Sequence, residues 1–282
     1  MLHSRICTDE PTLEHPVSQM CTQKQVDSRA YHRWCEEMRE PPRYHRKQWE
    51  FCYILEALAE AGLLEPGCRG LGFGVGKEPL SALFASRGCD IVATDQPVRL
   101  PAAAKWARTR QHATSADSLN DHRLCDPGLF AQRVTFAEVD MNHVPDHLHD
   151  FDFVWSACAL EHLGSQAAGC RFIRRTLELL RPGGISVHTT EFNCSSDEET
   201  VEAGPTVYYR RRDIVELAEA LAGEGHEMIL NFHPGSGELD GHVDVEPFTE
   251  THLKLLSDGC VATSFGLIIR KAPAVPLSHR AE

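Results

Sequence analysis

The 282-residue chain has no apolar run approaching the ~20 residues that span a bilayer, so a membrane helix is not expected. Its opening, MLHSRICTDEPTLEHP, has no continuous apolar core of the kind an export signal carries, and the expected compartment is the cytoplasm. Positive charge is also short: 28 Lys and Arg face 41 Asp and Glu, a formal net charge of −13. A surface with that balance repels backbone phosphates and anionic headgroups, so neither nucleic acid nor membrane is an expected partner. None of the eleven cysteines forms a C-x-x-C pair, and their number is odd. That excludes a regular zinc knuckle and argues against a secreted disulfide framework; most read as small, buried, reduced thiols. Internal repeats and low-complexity tracts are missing too.

What is present is a change of rhythm along the chain. Residues 1–18 hold turn formers without periodicity and read as a flexible arm. Residues 19–40 and 43–62 read as two helices separated by Pro41-Pro42. Phe51, Leu55, Leu58 and Gly62 recur at helical spacing in the second, and residues 19–64 are expected to form an N-terminal helical lid. From residue 65 onward, strand, turn and helix alternate. The expected strands are 68–73, 90–95, 133–140, 151–157 and 185–192, and the expected helices are 77–87, about 99–113, and 166–180. The last helix stops at 181-RPGG-184. Such alternation implies a doubly wound α/β fold, Rossmann-like, with a mostly parallel sheet built from right-handed crossovers. After a helix at 214–223, the strands 226–232 and 261–270 enclose a polar insertion at 233–260 and suit an antiparallel edge hairpin. That gives seven strands, a domain over 65–272, and a flexible tail over 273–282.

The stretch 71-LGFGVGKEPL-80 joins the first of these strands to a helix, which brings backbone N–H groups beside a ligand. A P-loop would need glycine at Leu71 and a hydroxyl at Glu78, so that reading fails. The dinucleotide fingerprint would need glycine at Lys77. What stands is Gly72-x-Gly74-x-Gly76, with Asp95 ending the next strand, where an acid can accept two ribose hydroxyls. Asp140 ends the third strand, within reach of an adenine amino group.

In order along the chain, LGFGVGKEPL, IVATDQ, EVDMN, FDFVWSACALEHLG and LLRPGGISVHTTEF resemble a class I S-adenosylmethionine-dependent methyltransferase over residues 65–272. The resemblance implies S-adenosyl-L-methionine as cofactor. It implies a cofactor-binding set of Gly72, Phe73, Gly74, Gly76, Glu78, Asp95, Gln96, Asp140, Met141, Ser156 and Ala157. Asp95 would take the ribose hydroxyls, and Asp140, with Met141 as an apolar wall, the adenine. That family usually carries an acid two residues before the first glycine; here Gly70 stands there, and Glu78 is the candidate to supply the charge. A looser resemblance to bacterial sugar and polysaccharide methyltransferases implies a small-molecule or glycan acceptor and methylation of a hydroxyl.

Methyl transfer to an alcohol needs a base at the carboxyl ends of the strands, and His188, His162 and Glu191 are the catalytic candidates. Glu161, Arg46, Arg211, Arg212 and His242 are the candidate acceptor-binding residues, the arginines as grips for a phosphate or carboxylate. His242, Asp244 and Glu246 alternate, so an extended segment would point all three one way, but a solvated acidic loop is favoured and no metal is expected. The alternatives are an N-methyltransferase on an amine-bearing metabolite, a non-catalytic cofactor-binding module and, less favoured, a nicotinamide oxidoreductase. The apolar stripe of the lid would equally support a homodimer.

Overall fold

Residues 5–98 and 112–274 are described in the computed structural model of the chain. Their strands are β1 (Ile6–Cys7), β2 (Ser18–Met20), β3 (Arg69–Phe73), β4 (Asp90–Asp95), β5 (Val134–Glu138), β6 (Phe151–Ala157), β7 (Leu180–Asn193), β8 (Leu230–Asn231), β9 (Leu255–Ser257) and β10 (Cys260–Arg270). They join one mixed sheet in the order β1-β8-β2-β10-β7-β6-β3-β4-β5, with β9 added beside β10. The run from β7 to β5 is parallel throughout, and β10 is antiparallel to β7, β2 and β9.

Four helices precede or follow β3: α1 (Gln23–Val26), α2 (Arg29–Met38), α3 (Arg46–Glu60) and α4 (Leu80–Ser86). Ser28 caps α2, its hydroxyl accepting from the Tyr31 N–H, a contact typically worth about 1 kcal/mol. α3 lies against β6, β7 and β10, with Trp49, Tyr53, Ile54, Leu55 and Leu58 wholly buried. The helices Gln166–Leu179 and Arg211–Gly223 cover the opposite face. The sheet is thus buried on both sides, which is why its central strands read as nearly continuous apolar runs.

Four expectations change. The sheet has ten strands among the described residues, where seven were expected. The expected arm is not loose: β1 lies within it and pairs with β8, and β2 begins at its last residue and runs into the expected helix, lying between β8 and β10 with Gln19 opposite Gly266. Gln19 is fully buried because its amide donates to Thr12 O at 2.8 Å and to Gln25 Oε1 at 2.7 Å. Strands of two or three residues are too short to display an alternating pattern, so the arm hid them. The segments 226–232 and 261–270, expected as an edge hairpin, meet at a single antiparallel bridge, Glu227 opposite Arg270, while β8 pairs with β2; the hairpin partner of β10 is β9, with Leu255 opposite Ala262. The N-terminal helices, expected as a lid, form part of the main core on one face. The helix expected over about 99–113 falls almost wholly outside the described residues, as does the end of the chain beyond residue 274.

Candidate functional site

The glycine turn begins where β3 ends. Gly74 (φ 60) and Gly76 (φ 51) take left-handed backbone angles that side-chain-bearing residues adopt only at a cost. A methyl group added at Gly74 would stand 2.8 Å from the Ala159 Cβ and 3.6 Å from the Met141 sulfur. The turn, the end of β6 and the segment after β5 therefore converge at this point. Gly72 serves a different purpose. A Cβ there would fall 2.3 Å from the Trp155 ring, and one at Gly70 would fall 2.3 Å from the Phe153 ring. Both rings come from β6, the neighbouring strand, and both are fully buried. The acid absent at position 70 has a physical cause: an aromatic ring fills the space.

Glu78 precedes α4, which starts at Leu80, so it does not sit in the first turn of that helix. It turns inward and accepts from the Trp155 indole N–H at 2.7 Å. Burial lifts its carboxyl well above the ordinary range, the indole opposes that shift, and Asp95 and Glu50 reinforce it. Asp95 closes β4 and is nearly enclosed. Its carboxylate accepts from the backbone N–H groups of Gly76 (3.2 Å), Ala113 (3.0 Å) and Gln96 (2.7 Å). Burial raises the Asp95 carboxyl against the pull of those donors. His112 stands 3.5 Å from it, buried, with both ring nitrogens lacking a hydrogen-bond partner among the described residues.

The other expected cofactor residues divide. Asp140 folds its carboxylate back on its own turn, taking the Asn142 N–H and the His143 ring at 2.9 Å each. Phe73 packs edge-on against Phe172 in the core, away from the turn. Ser156 is fully buried, its hydroxyl 2.8 Å from His188 Nδ1, and Ala157 is partly exposed at the end of β6.

The expected base candidates separate as well. His188 is fully buried, with Nδ1 on Ser156 and Nε2 on Ser186 at 2.6 Å, and burial drives its pKa down to about 3. Both nitrogens are committed inside the sheet. His162 Nδ1 lies 2.8 Å from Pro205 O, fixing the loop after β6. Arg211 lies over the Phe232 ring and Arg212 binds Glu198 and the Asp197 turn, so neither joins the cluster described next. His242 and Glu246 are exposed while Asp244 is buried. The three do not share a face, because the His252 ring (2.6 Å) and Thr249 draw the Asp244 carboxylate inward.

Glu161, Glu191 and Arg46 do come together, in a buried polar cluster between α3 and the ends of β6 and β7. Arg46 Nη1 donates to Glu191 Oε1 at 2.7 Å and to Ser264 Oγ at 3.1 Å. Lys47 Nζ lies 3.2 Å from Glu50 Oε1 and 3.5 Å from Glu191 Oε1. The Cys158 thiol and the Ser264 hydroxyl both donate to Glu50 Oε1. Burial opposes ionisation of Glu191, but Arg46 and Lys47 hold its carboxyl below the usual range. Burial raises the Glu161 carboxyl. Cys158 itself has φ 44, a left-handed angle held by two contacts from its N–H to Thr189, at 3.0 and 3.1 Å. Such an angle costs a β-carbon-bearing residue about 1–2 kcal/mol.

Sequence reasoning missed Glu50, Lys47, Cys158, Ser264 and Trp155. For Glu50 a signal existed: Leu58, Ile54, Glu50 and Arg46 follow at four-residue steps, so the buried stripe of α3 runs directly into an acid and a base.

Residues 71–188 match a family model described as a methyltransferase domain. This segment is a methyltransferase domain. The cofactor of the methyltransferase is S-adenosyl-L-methionine, and the chain is an enzyme of that class. The turn fits such a ligand: a bare Cα at Gly74, buried carboxyl groups at Glu78 and Asp95, and an imidazole at His112 without a hydrogen-bond partner among the described residues. No curated protein matches the chain. Among solved structures, it is similar to magnesium protoporphyrin IX methyltransferase from Synechocystis, at 13% identity and TM-score 0.46, over 88% of this chain and 93% of that one. It is also similar to the glycopeptide N-methyltransferase MtfA (12%, TM-score 0.45, 77% and 94%). The CcbJ methyltransferase of Streptomyces caelestis is a third (14%, TM-score 0.44, 83% and 98%). None of these likenesses bears on the acceptor. Among the described residues, no helix is long and apolar enough to cross a membrane.

Proposed function

We propose that the methyltransferase acts on an oxygen or nitrogen of a compact small molecule, bound between the glycine turn and the Arg46–Glu191 cluster. When bound, S-adenosyl-L-methionine supplies a methyl group activated on a sulfonium sulfur. The residues at Gly74, Met141 and Ala159 would shape the cofactor side of this space, with the buried carboxyl groups of Asp95 and Glu78 bordering it. The chain's contribution is alignment and exclusion of water, which together can supply several kcal/mol. A base for the leaving proton comes from the cluster; His188, committed to two serines, is not that base.

One observation carries the reading. Ala159 touches the turn at Gly74 while its near neighbours Cys158 and Glu161 belong to the buried cluster, so one short segment borders both places. The cluster is roofed by α3, which suits a compact acceptor. Incubation with methyl-labelled cofactor and a panel of amino and hydroxyl metabolites tests it. Transfer of label to a small molecule, lost in Gly74→Leu, is the expected outcome; label that moves only to protein or nucleic acid would end the proposal.

A further inference from the structure

We propose that the cluster at the ends of β6 and β7 is an amine subsite: Glu161 and Glu191 receive the N–H bonds of the acceptor's amine, and Glu161 takes its proton. This rests on the methyl-transfer reading above and names its substrate class.

Two oxygens in the cluster are unused. Glu161 Oε1 and Glu191 Oε2 are buried and have no hydrogen-bond partner among the described residues. Their side chains and the Cys158 sulfur offer ligand atoms within 4.8 Å of one another. Unpaired buried carboxylate oxygens are costly, and a ligand with at least two N–H bonds would satisfy both. A hydroxyl has one proton to donate and could satisfy one.

The charges agree. Glu50, Glu161 and Glu191 face Arg46 and Lys47, so carboxylates outnumber cations by one. Cys158 does not add to either side, because burial and the neighbouring Glu161 and Glu50 keep its thiol protonated. A single ammonium completes the balance. A divalent ion fits less well: it would need Cys158 as thiolate and would meet the Arg46 guanidinium and Lys47 ammonium already on Glu191. At the edge of the cluster Cys158 and Lys47 are partly exposed, while Glu161 is buried.

In the reaction, the Glu161 carboxylate takes a proton from the ammonium, leaving a neutral amine and a neutral carboxylic acid. Burial favours that transfer by raising the Glu161 carboxyl; His162 and Lys47 oppose it and Glu191 assists. The nitrogen lone pair forms the N–C bond as the methyl–sulfur bond breaks, and S-adenosyl-L-homocysteine leaves as a neutral thioether. The positive charge passes from sulfur to the methylated nitrogen, which Glu191 faces, and Glu161 returns its proton to solvent.

Matched probes test this by calorimetry on protein loaded with S-adenosyl-L-homocysteine: glucosamine with glucose, ethanolamine with ethylene glycol, benzylamine with benzyl alcohol. The expected result is binding of the amine member at least about ten-fold tighter in one pair or more, with that advantage lost in Glu161→Gln. Homocysteine-ligand affinity should stay unchanged in the variant. Where an amine is methylated, the Glu161→Gln rate should climb with pH toward the amine's own pKa while the wild-type rate stays flatter. Glu191→Gln, on the neighbouring strand, probes the same subsite if Glu161→Gln does not fold. Equal binding of amine and hydroxyl members, or no amine binding in the panel, overturns the subsite. So does tight Zn²⁺ or Mg²⁺ binding that Cys158→Ser and Glu161→Gln abolish, which would make the cluster a metal site. Loss of homocysteine-ligand binding by the wild type would instead sink the methyl-transfer reading itself.

Discussion

Replacing Glu78 with Gln should flatten part of the protein's stability-versus-pH curve. Glu78 is buried beneath the turn, and burial lifts its carboxyl well above the ordinary 4.5, with the Trp155 N–H opposing and Asp95 and Glu50 adding. Below about pH 4.5 the carboxyl is protonated in both folded and unfolded chains and contributes no slope. Above that value the unfolded chain releases the proton while the folded chain retains it. The folded state then binds more protons, so stability falls as pH rises, until the folded carboxyl ionises in turn. One group can contribute at most about 1.4 kcal/mol per pH unit in that window. The variant keeps an acceptor for the indole but leaves an amide N–H to be placed, a fixed offset of about 1–3 kcal/mol. The slope, not the offset, is therefore the observable. Urea unfolding of ligand-free wild type and Glu78→Gln at pH 5, 6 and 7 should show the variant gaining on the wild type with each step. A difference that stays flat from pH 5 to 7 would refute the reasoning.

Three further outcomes follow from the same geometry. His188→Gln should relieve acid sensitivity: the folded imidazole stays neutral to about pH 3 while the unfolded one ionises near 6.5, so wild-type stability falls as pH drops through that window. Unfolding at pH 4.5 and 7 checks this, and the methyl-transfer pH profile should keep its shape because both ring nitrogens are spent inside the sheet. Arg46→Met should destabilise by about 2–3 kcal/mol, since it leaves the buried Glu191 carboxylate with Lys47 as its one remaining cation among the described residues, whereas Arg212→Ala on the surface should stay within about 0.5 kcal/mol. Gly74→Leu should abolish cofactor binding and lower stability only modestly, because the side chain meets Ala159 and Met141 at the site rather than the core; a calorimetric titration beside a thermal melt separates the two effects.

The parallel half of the fold was legible because its signals are local. β4 and β6 run over the residues expected for them, and the Gln166–Leu179 helix ends within a residue of its expected end, although the proline-glycine stretch that follows belongs to β7. The two N-terminal strands were not legible, since their partners lie some two hundred residues away and a strand of two or three residues has no period to read. The site divides along the same line. Gly74 and Asp95 announce themselves by their places after strands. Gly72 carries the same pattern for another reason, the Trp155 ring, and only the cross-strand register reveals that. Arg46 was expected as an anion grip and Glu50 was not singled out; α3 buries both because its apolar stripe continues through them onto β7 and β10. His188 looked like a base because it sits near a strand end, but period two sends its ring to the covered face.

The most direct measurement is calorimetric titration of the purified protein with S-adenosyl-L-methionine, S-adenosyl-L-homocysteine and NAD⁺, repeated on Gly74→Leu. Binding of the two sulfur ligands by the wild type, none by the variant, and none of NAD⁺ by either is the predicted result. Unchanged binding in Gly74→Leu would put the cofactor somewhere other than this turn, and no binding by the folded wild type would contradict the methyl-transfer function.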